Sequence, residues 1–369
     1  MSQSYPTLFS KYKLGSLTLK NRIVMAPMTR SRAIGNLPND LMVSYYSKRA
    51  DAGLIITEGV APSPDGLGYA RIPGLFNDAQ VKAWKKITDA VHAKGGRIFV
   101  QLMHTGRISH PLNLPDEGVV RGVSAIAAAT TQMYTDQEGL KPLPVPEEIA
   151  TSEIPALIDE FVQSAKYAIE AGFDGVELHG ANGYLLDQFL NSASNHRADK
   201  YGGSPENRNR FVLEVAAAVA NTIGKDKTGI RLSPYGAFND MRPDENTEQQ
   251  YIQLAAALKE TGIVYIHIVD HSSMGAPAVP LSVKDGIRRA FGSTIILSGG
   301  YDAARAEAEL EEGRGELVAF GRPFISNPDL VKRIALHAEL AQPDFGTFYT
   351  PGEKGYTDYP ILDEQLQAN

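Results

Sequence analysis

Eight short apolar segments, each followed by a longer amphipathic one, run through this chain and leave few folds open to it. They are residues 22–28, 54–60, 97–103, 175–179, 229–233, 265–269, 294–298 and 317–320. Several are apolar throughout, as strands covered on both faces should be. Residues 79–93 place Val81, Trp84, Ile87 and Val91 on one helical face, and residues 154–171 do the same with Leu157, Ile158, Phe161 and Ala165. Helices are expected again over 205–221, 247–261, 282–291, 302–312 and 327–340. Ser152, Ser204 and Asn327 stand before proline-containing first turns as caps. Strand–helix alternation repeated eight times predicts an α/β fold, a single (β/α)8 TIM barrel, because right-handed crossovers close such a sheet on itself. A doubly wound open sheet is the alternative, but no Gly-x-Gly-x-x-Gly opens a helix after the first strand.

Two stretches depart from the repeat. Residues 14–20 read as an N-terminal hairpin plugging the barrel bottom. Residues 105–151, rich in Pro, Gly and Ser, are too long for a plain connection. They are expected to form an excursion over the barrel mouth containing a short hairpin, within one domain spanning 1–369.

Chemistry in a barrel belongs at the carboxyl ends of its strands. The fourth strand runs into His179-Gly-Ala-Asn182-Gly-Tyr184, which bunches an imidazole, a carboxamide and a phenol at one exit. Two donors could hold a substrate oxygen that gains charge while the phenol acts as an acid. A buried polar cluster satisfied at the barrel rim would also account for them. The seventh and eighth strands end in Ser298-Gly299-Gly300 and Phe320-Gly321-Arg322. Adjacent glycine turns with an arginine suit a phosphate, although glycine also simply permits tight turns. Arg231 lies on an apolar strand and needs an anionic or polar partner, either a cofactor edge or a barrel carboxylate such as Glu58 or Glu177.

Composition narrows the classes further. Asp and Glu outnumber Lys and Arg by 43 to 36, which argues against a nucleic-acid or anionic-membrane surface. The absence of cysteine excludes disulfides, thiolate metal sites, Cys nucleophiles and Cys-ligated iron–sulfur clusters, and it fits the cytoplasm. The opening Met1–Ser10 stretch has neither the basic nor the apolar region of a secretory signal, and no apolar run approaches membrane-spanning length.

The chain resembles the Old Yellow Enzyme family of FMN-dependent ene-reductases. The likeness rests on residues 19–30 (Leu-Lys-Asn-Arg-Ile-Val-Met-Ala-Pro-Met-Thr-Arg), 101–110 (Gln-Leu-Met-His-Thr-Gly-Arg-Ile-Ser-His), 171–190, 197–208 and 355–360. It implies non-covalent FMN, contacted by Pro27, Met28 and Thr29, with the Thr29 hydroxyl at the flavin O4. Gly59 and Gln101 would meet the pyrimidine edge and Arg231 the N1 side; Gly299, Gly300, Gly321 and Arg322 would take the phosphate. His179 and Asn182 correspond to the pair binding the substrate oxygen, and Tyr184 to the proton donor. Thr29, Tyr69, Phe238 and Tyr349 match positions contacting substrate. Met103 stands where some bacterial relatives that reduce nitro-esters carry tryptophan.

The implied reaction is ping-pong. NADPH or NADH donates hydride, and the C=C bond of a small α,β-unsaturated carbonyl or nitro compound receives it, with no metal. The protein would be a monomer or homodimer without nucleic-acid or membrane partners. A dienoyl-CoA-reductase-like enzyme would need cysteines for its cluster. An FMN-dependent α-hydroxyacid oxidase would want a His/Arg pair, and a non-catalytic flavin-binding protein would leave His179, Asn182 and Tyr184 without work.

Overall fold

The computed structural model describes residues 4–115 and 118–362, so parts of the opening segment and of the excursion lie outside it. Its centre is a closed, all-parallel barrel of eight strands: β3 (Ile23–Met25), β4 (Leu54–Val60), β5 (Ile98–Leu102), β10 (Gly175–Gly180), β11 (Thr228–Leu232), β12 (Tyr265–Val269), β13 (Thr294–Ser298) and β14 (Leu317–Phe320). All eight are buried end to end, which explains why they read as uniformly apolar runs. The first is shorter than its apolar run because Pro27 has no N–H for a ladder bond. β14 pairs with β3 and closes the ring.

Helices coat the barrel: α1 (Asp40–Ser47), α2 (Asp78–Ala93), α3 (Ile154–Glu170), α4 (Leu185–Leu190), α5 (Pro205–Ile223), α6 (Thr247–Thr261), α7 (Leu281–Phe291) and α8 (Ala303–Glu311). Ser204 caps α5 by accepting the Asn207 N–H. Ser152 does not cap α3; it sits in a 3-10 turn, and Glu153 Oε2 instead accepts the Ala150 N–H. The helix expected over 327–340 is only α10 (Leu330–Leu336), and a separate short helix, α9 (Arg322–Ser326), precedes it. Asn327 has other work: its oxygen accepts the Ala341 N–H and its amide donates to Pro323 O. α1 went unanticipated, although Asn39 caps it through the Met42 N–H.

Below the barrel, β1 (Tyr12–Leu14) and β2 (Leu17–Leu19) form an antiparallel hairpin. Leu14 and Leu19 join a cluster with Val24, Leu54, Phe99, Tyr265, Ile296 and Leu317, the lower interior layer of the barrel. Between β5 and α3 the excursion holds β6 (Arg121–Gly122), β7 (Gln132–Thr135), β8 (Gly139–Pro142) and β9 (Glu147–Glu148), with β7 and β8 forming a hairpin. Ile108, Ala128, Met133 and Leu143 from this segment pack against Tyr69 and Tyr184, at the opposite end of the barrel from the plug.

A second long-range tie runs from the first strand to residues 347–355. Arg30 donates to Phe348 O at 3.1 Å and Gly355 O at 2.8 Å, and Arg32 to Phe348 O, Thr347 O and Lys354 O at 2.7–2.9 Å. Both guanidiniums are essentially fully buried, and Tyr356 stacks on Tyr45 with centroids 4.1 Å apart. Carbonyl acceptors let these two cations stay in the interior without carboxylate partners. Among the described residues no helix is long and apolar enough to cross a membrane.

Candidate active site

Laterally paired residues of a parallel sheet point to the same face, so the register sorts the barrel interior into layers. Above the apolar floor lies a polar layer around Glu177. Its carboxylate accepts from Gln101 Nε2 at 2.8 Å, Tyr265 OH at 3.0 Å and His267 Nδ1 at 2.8 Å. One layer higher, His179 pairs in register with Arg231 and Arg231 with His267. Arg231 ion-pairs with neither carboxylate suggested for it. Glu177 is taken by three donors, and Glu58 accepts from Tyr46 OH and the Arg30 N–H. Arg231 is 6% exposed and its Nε is buried without a hydrogen-bond partner. A buried cation left in that condition marks a place for an anionic or carbonyl-bearing group.

The turn after β10 is held from several sides. Asn182 and Gly183 both occupy the left-handed region, at φ 61° and 76°. Asn tolerates that conformation and Gly is indifferent to it. A Cβ on Gly183 would also lie 2.7 Å from Asn239 Cβ. The Asn182 N–H donates to Ser233 Oγ at 2.9 Å, its carbonyl accepts from Asn239 Nδ2 at 2.7 Å, and the Gly183 N–H donates to Asp187 Oδ2 at 2.8 Å. Ser233 Oγ and Tyr251 OH complete the shell of Asp187, whose carboxyl burial nevertheless pushes up to about 6.

His179 is 4% exposed, and its Nδ1 accepts the Ala181 N–H at 3.3 Å. Its hydrogen therefore resides on Nε2. Burial first, then the nearby Arg231 charge, hold it well below the usual imidazole range, so it is a neutral donor. The Tyr184 ring meets it edge-on with centroids 4.8 Å apart, and Tyr184 OH lies 2.9 Å from Tyr69 OH. Burial, reinforced by Tyr69 and Tyr349, raises Tyr184 well above the ordinary phenol value and Tyr69 to about 12. Tyr349 is 62% exposed.

The remaining candidates lie along the same rim. Pro27 is buried, Met28 and Thr29 are half-buried, and the Thr29 hydroxyl has no partner among the described residues. Gln101 commits one amide hydrogen to Glu177. A Cβ at Gly59 would fall 2.5 Å from Met103 Sδ, so this glycine lets the fully buried Met103 fold over β4. Gly299 and Gly300 have φ of 145° and 64°, and added Cβ atoms would meet Asp270 O and Ser273 Cβ at 2.4 and 2.7 Å. Their identity is thus already required by the neighbouring loop. Gly321 carries the exposed Arg322, which makes no ion pair among the described residues and lies 5.5 Å from the Phe345 ring centroid. An unpartnered cation at this rim beside the two glycine turns, with Arg231 unpartnered deeper in, fits a flavin mononucleotide at both its phosphate and its ring.

Phe238 is half-buried and meets His271 edge-on at 4.6 Å. His271 was not among the sequence candidates, and neither were Ser233, Asp187 and Asn239. His271 Nε2 lies 2.6 Å from Asn182 Oδ1. Its signal was positional: it follows the sixth barrel strand by two residues, where chemistry collects in such a barrel. A third cluster lies apart. Asp65, His104 and Glu160 bring ligand-type atoms within 4.8 Å of one another. His104 Nδ1 accepts the Gly106 N–H at 3.0 Å, so Nε2 carries the hydrogen and lacks the lone pair a metal requires.

Comparison with known proteins adds to this geometry. Residues 7–341 match the model of the NADH:flavin oxidoreductase / NADH oxidase family. The chain is 41% identical over 362 residues to 12-oxophytodienoate reductase 1 of Oryza sativa subsp. japonica, covering 97% of this chain and 93% of that protein. It is similar to morphinone reductase in complex with tetrahydroNAD, with a TM-score of 0.93 at 44% identity over 98% of this chain and 99% of that one. The Old Yellow Enzyme homologue from Zymomonas mobilis gives 0.93 at 40% identity, covering 97% and 100%.

Proposed function

Because the chain belongs to the NADH:flavin oxidoreductase / NADH oxidase family, the Old Yellow Enzymes, we propose that this FMN-dependent oxidoreductase reduces the C=C bond of small α,β-unsaturated carbonyl or nitro compounds. The observation that carries this reading is the single turn from His179 to Tyr184, which sets an Nε2–H donor edge-on to a protonated phenol beside an unpartnered arginine. Bound FMN would supply the redox chemistry, taking hydride from NADPH or NADH and giving it to the substrate's β-carbon.

The protein's part divides by residue. His179 Nε2–H and the Asn182 amide hold the carbonyl or nitro oxygen, and both bonds strengthen as that oxygen gains charge. Tyr184 protonates the α-carbon; its raised pKa keeps the proton in place until a strongly basic carbon develops. The phenolate left behind accepts from Tyr69 OH, 2.9 Å away, until solvent restores the proton. Arg231, Gln101 and Thr29 would hold the flavin ring, Met28 and Pro27 its face, and Gly300, Gly321 and Arg322 its phosphate. Ile108, Ala128, Met133 and Leu143 of the excursion pack against Tyr69 and Tyr184 and would limit water there.

The test is anaerobic. Purified protein should be yellow, bleach with NADPH or NADH, and recover its colour when cyclohexenone is added. Protein that bleaches but is not reoxidised by the enone would refute the substrate class.

A further inference from the structure

We propose that His271 is a positioning residue that decides which end of the Asn182 carboxamide faces the substrate. The inference rests on Asn182 being an oxygen-binding donor, as argued above.

A carboxamide has two ends of nearly the same shape and opposite hydrogen-bonding sense. The backbone of Asn182 cannot select between them. It is fixed by Ser233 Oγ on its N–H, by Asn239 Nδ2 on its carbonyl and by a left-handed φ of 61°, which leaves the side-chain amide free to turn over. His271 contacts that amide at 2.6 Å, Nε2 against Oδ1. Two arrangements of this pair are self-consistent, one with Nε2–H donating to Oδ1 and one with Nδ2 donating to Nε2. The structure holds the first, and only the first leaves the NH2 end for a substrate oxygen. The imidazole is itself braced, edge-on against Phe238 with centroids 4.6 Å apart. Burial and the nearby Arg231 charge bring its pKa to about 4, so it stays neutral, with a single ring hydrogen, at working pH. Among the described residues, no hydrogen bond or ring contact joins His271 to His179, Tyr184 or Arg231. Its effect passes through Asn182.

A double-mutant cycle read by ligand binding tests this. The probe is para-chlorophenol, titrated into the FMN-loaded protein and followed by calorimetry and by its long-wavelength charge-transfer absorbance. His271→Ala should weaken binding roughly three- to tenfold, the scale of one neutral hydrogen bond. In an Asn182→Ala background the same substitution should have no further effect, because non-additivity is the mark of a residue acting through another. His271→Gln, which keeps an amide hydrogen for Oδ1, should restore affinity to within about twofold of wild type. Should His271→Ala fail to retain FMN, His271→Leu, which preserves the packing on Phe238, takes its place in the cycle. Equal losses in both backgrounds, or none in either, would overturn the positioning role while leaving the site intact. Failure of the wild-type protein to bind the phenol would overturn the site assignment itself.

Discussion

At the level of single residues, the division between holding an oxygen and giving a proton makes Tyr184 the most discriminating position. Tyr184→Phe should slow alkene reduction by about 10²–10⁴-fold, the usual worth of a positioned general acid. Bleaching by the nicotinamide should stay nearly unchanged, because that step needs no proton from the phenol. Stopped-flow measurement of the two half-reactions separates them, and an equal fall in both would make Tyr184 structural. Nitro compounds, whose products solvent can protonate, should suffer less. Residue types at strand exits made His179, Asn182, Tyr184 and Arg231 readable from sequence, because each is a polar group at the end of an apolar run. The hydrogen on His179 Nε2 was not readable, since it depends on where the Ala181 N–H points. His271 escaped for a related reason: its role lies in a contact with a residue 89 positions away.

Among the elements, Glu58 on β4 carries a prediction about pH. Burial is the main cause that raises its carboxyl from about 4.5 to about 7, with Tyr46 and the Arg30 N–H pulling the other way. The folded state therefore prefers the protonated acid. That preference stabilises the fold fully below about pH 4.5 and is lost as pH rises through about 7. Glu58→Gln should flatten this loss, which on these values is on the order of 2–4 kcal/mol at most. Urea unfolding of wild type and variant at pH 5 and pH 8 would show it; parallel curves would refute the assignment. The barrel strands themselves were legible because burial on both faces writes an unbroken apolar run. The C-terminal helices were not, because Asn327 looks like a cap in sequence and only the fold turns it toward Ala341.

For the molecule as a whole, cofactor binding and stability should be linked. FMN that binds only the folded barrel stabilises it by about 2.7 kcal/mol at a hundredfold excess over Kd. Thermal unfolding of stripped protein should therefore shift upward as FMN is added. Arg322→Ala should lower the affinity that drives this shift, since a charge-assisted contact is worth about 1.5–3 kcal/mol. A shift identical to wild type would move the phosphate elsewhere on the rim. Strand–helix alternation made the architecture legible at this scale. The glycine turns at 299–300 were the weaker clue, because the loop at Asp270 and Ser273 already demands glycine there.

The two arginines that follow Thr29 carry a consequence for the protein's birth. A ribosome delivers Arg30 and Arg32 before residues 347–355, yet most of the carbonyls that satisfy them belong to that later segment. Through most of synthesis these guanidiniums have none of those partners, and burying them would be strongly unfavourable. The first strand's exit can settle fully only after residues 347–355 have emerged. A nascent chain can thus lay down all eight barrel strands while Arg30 and Arg32 still wait for the carbonyls of residues 347–355.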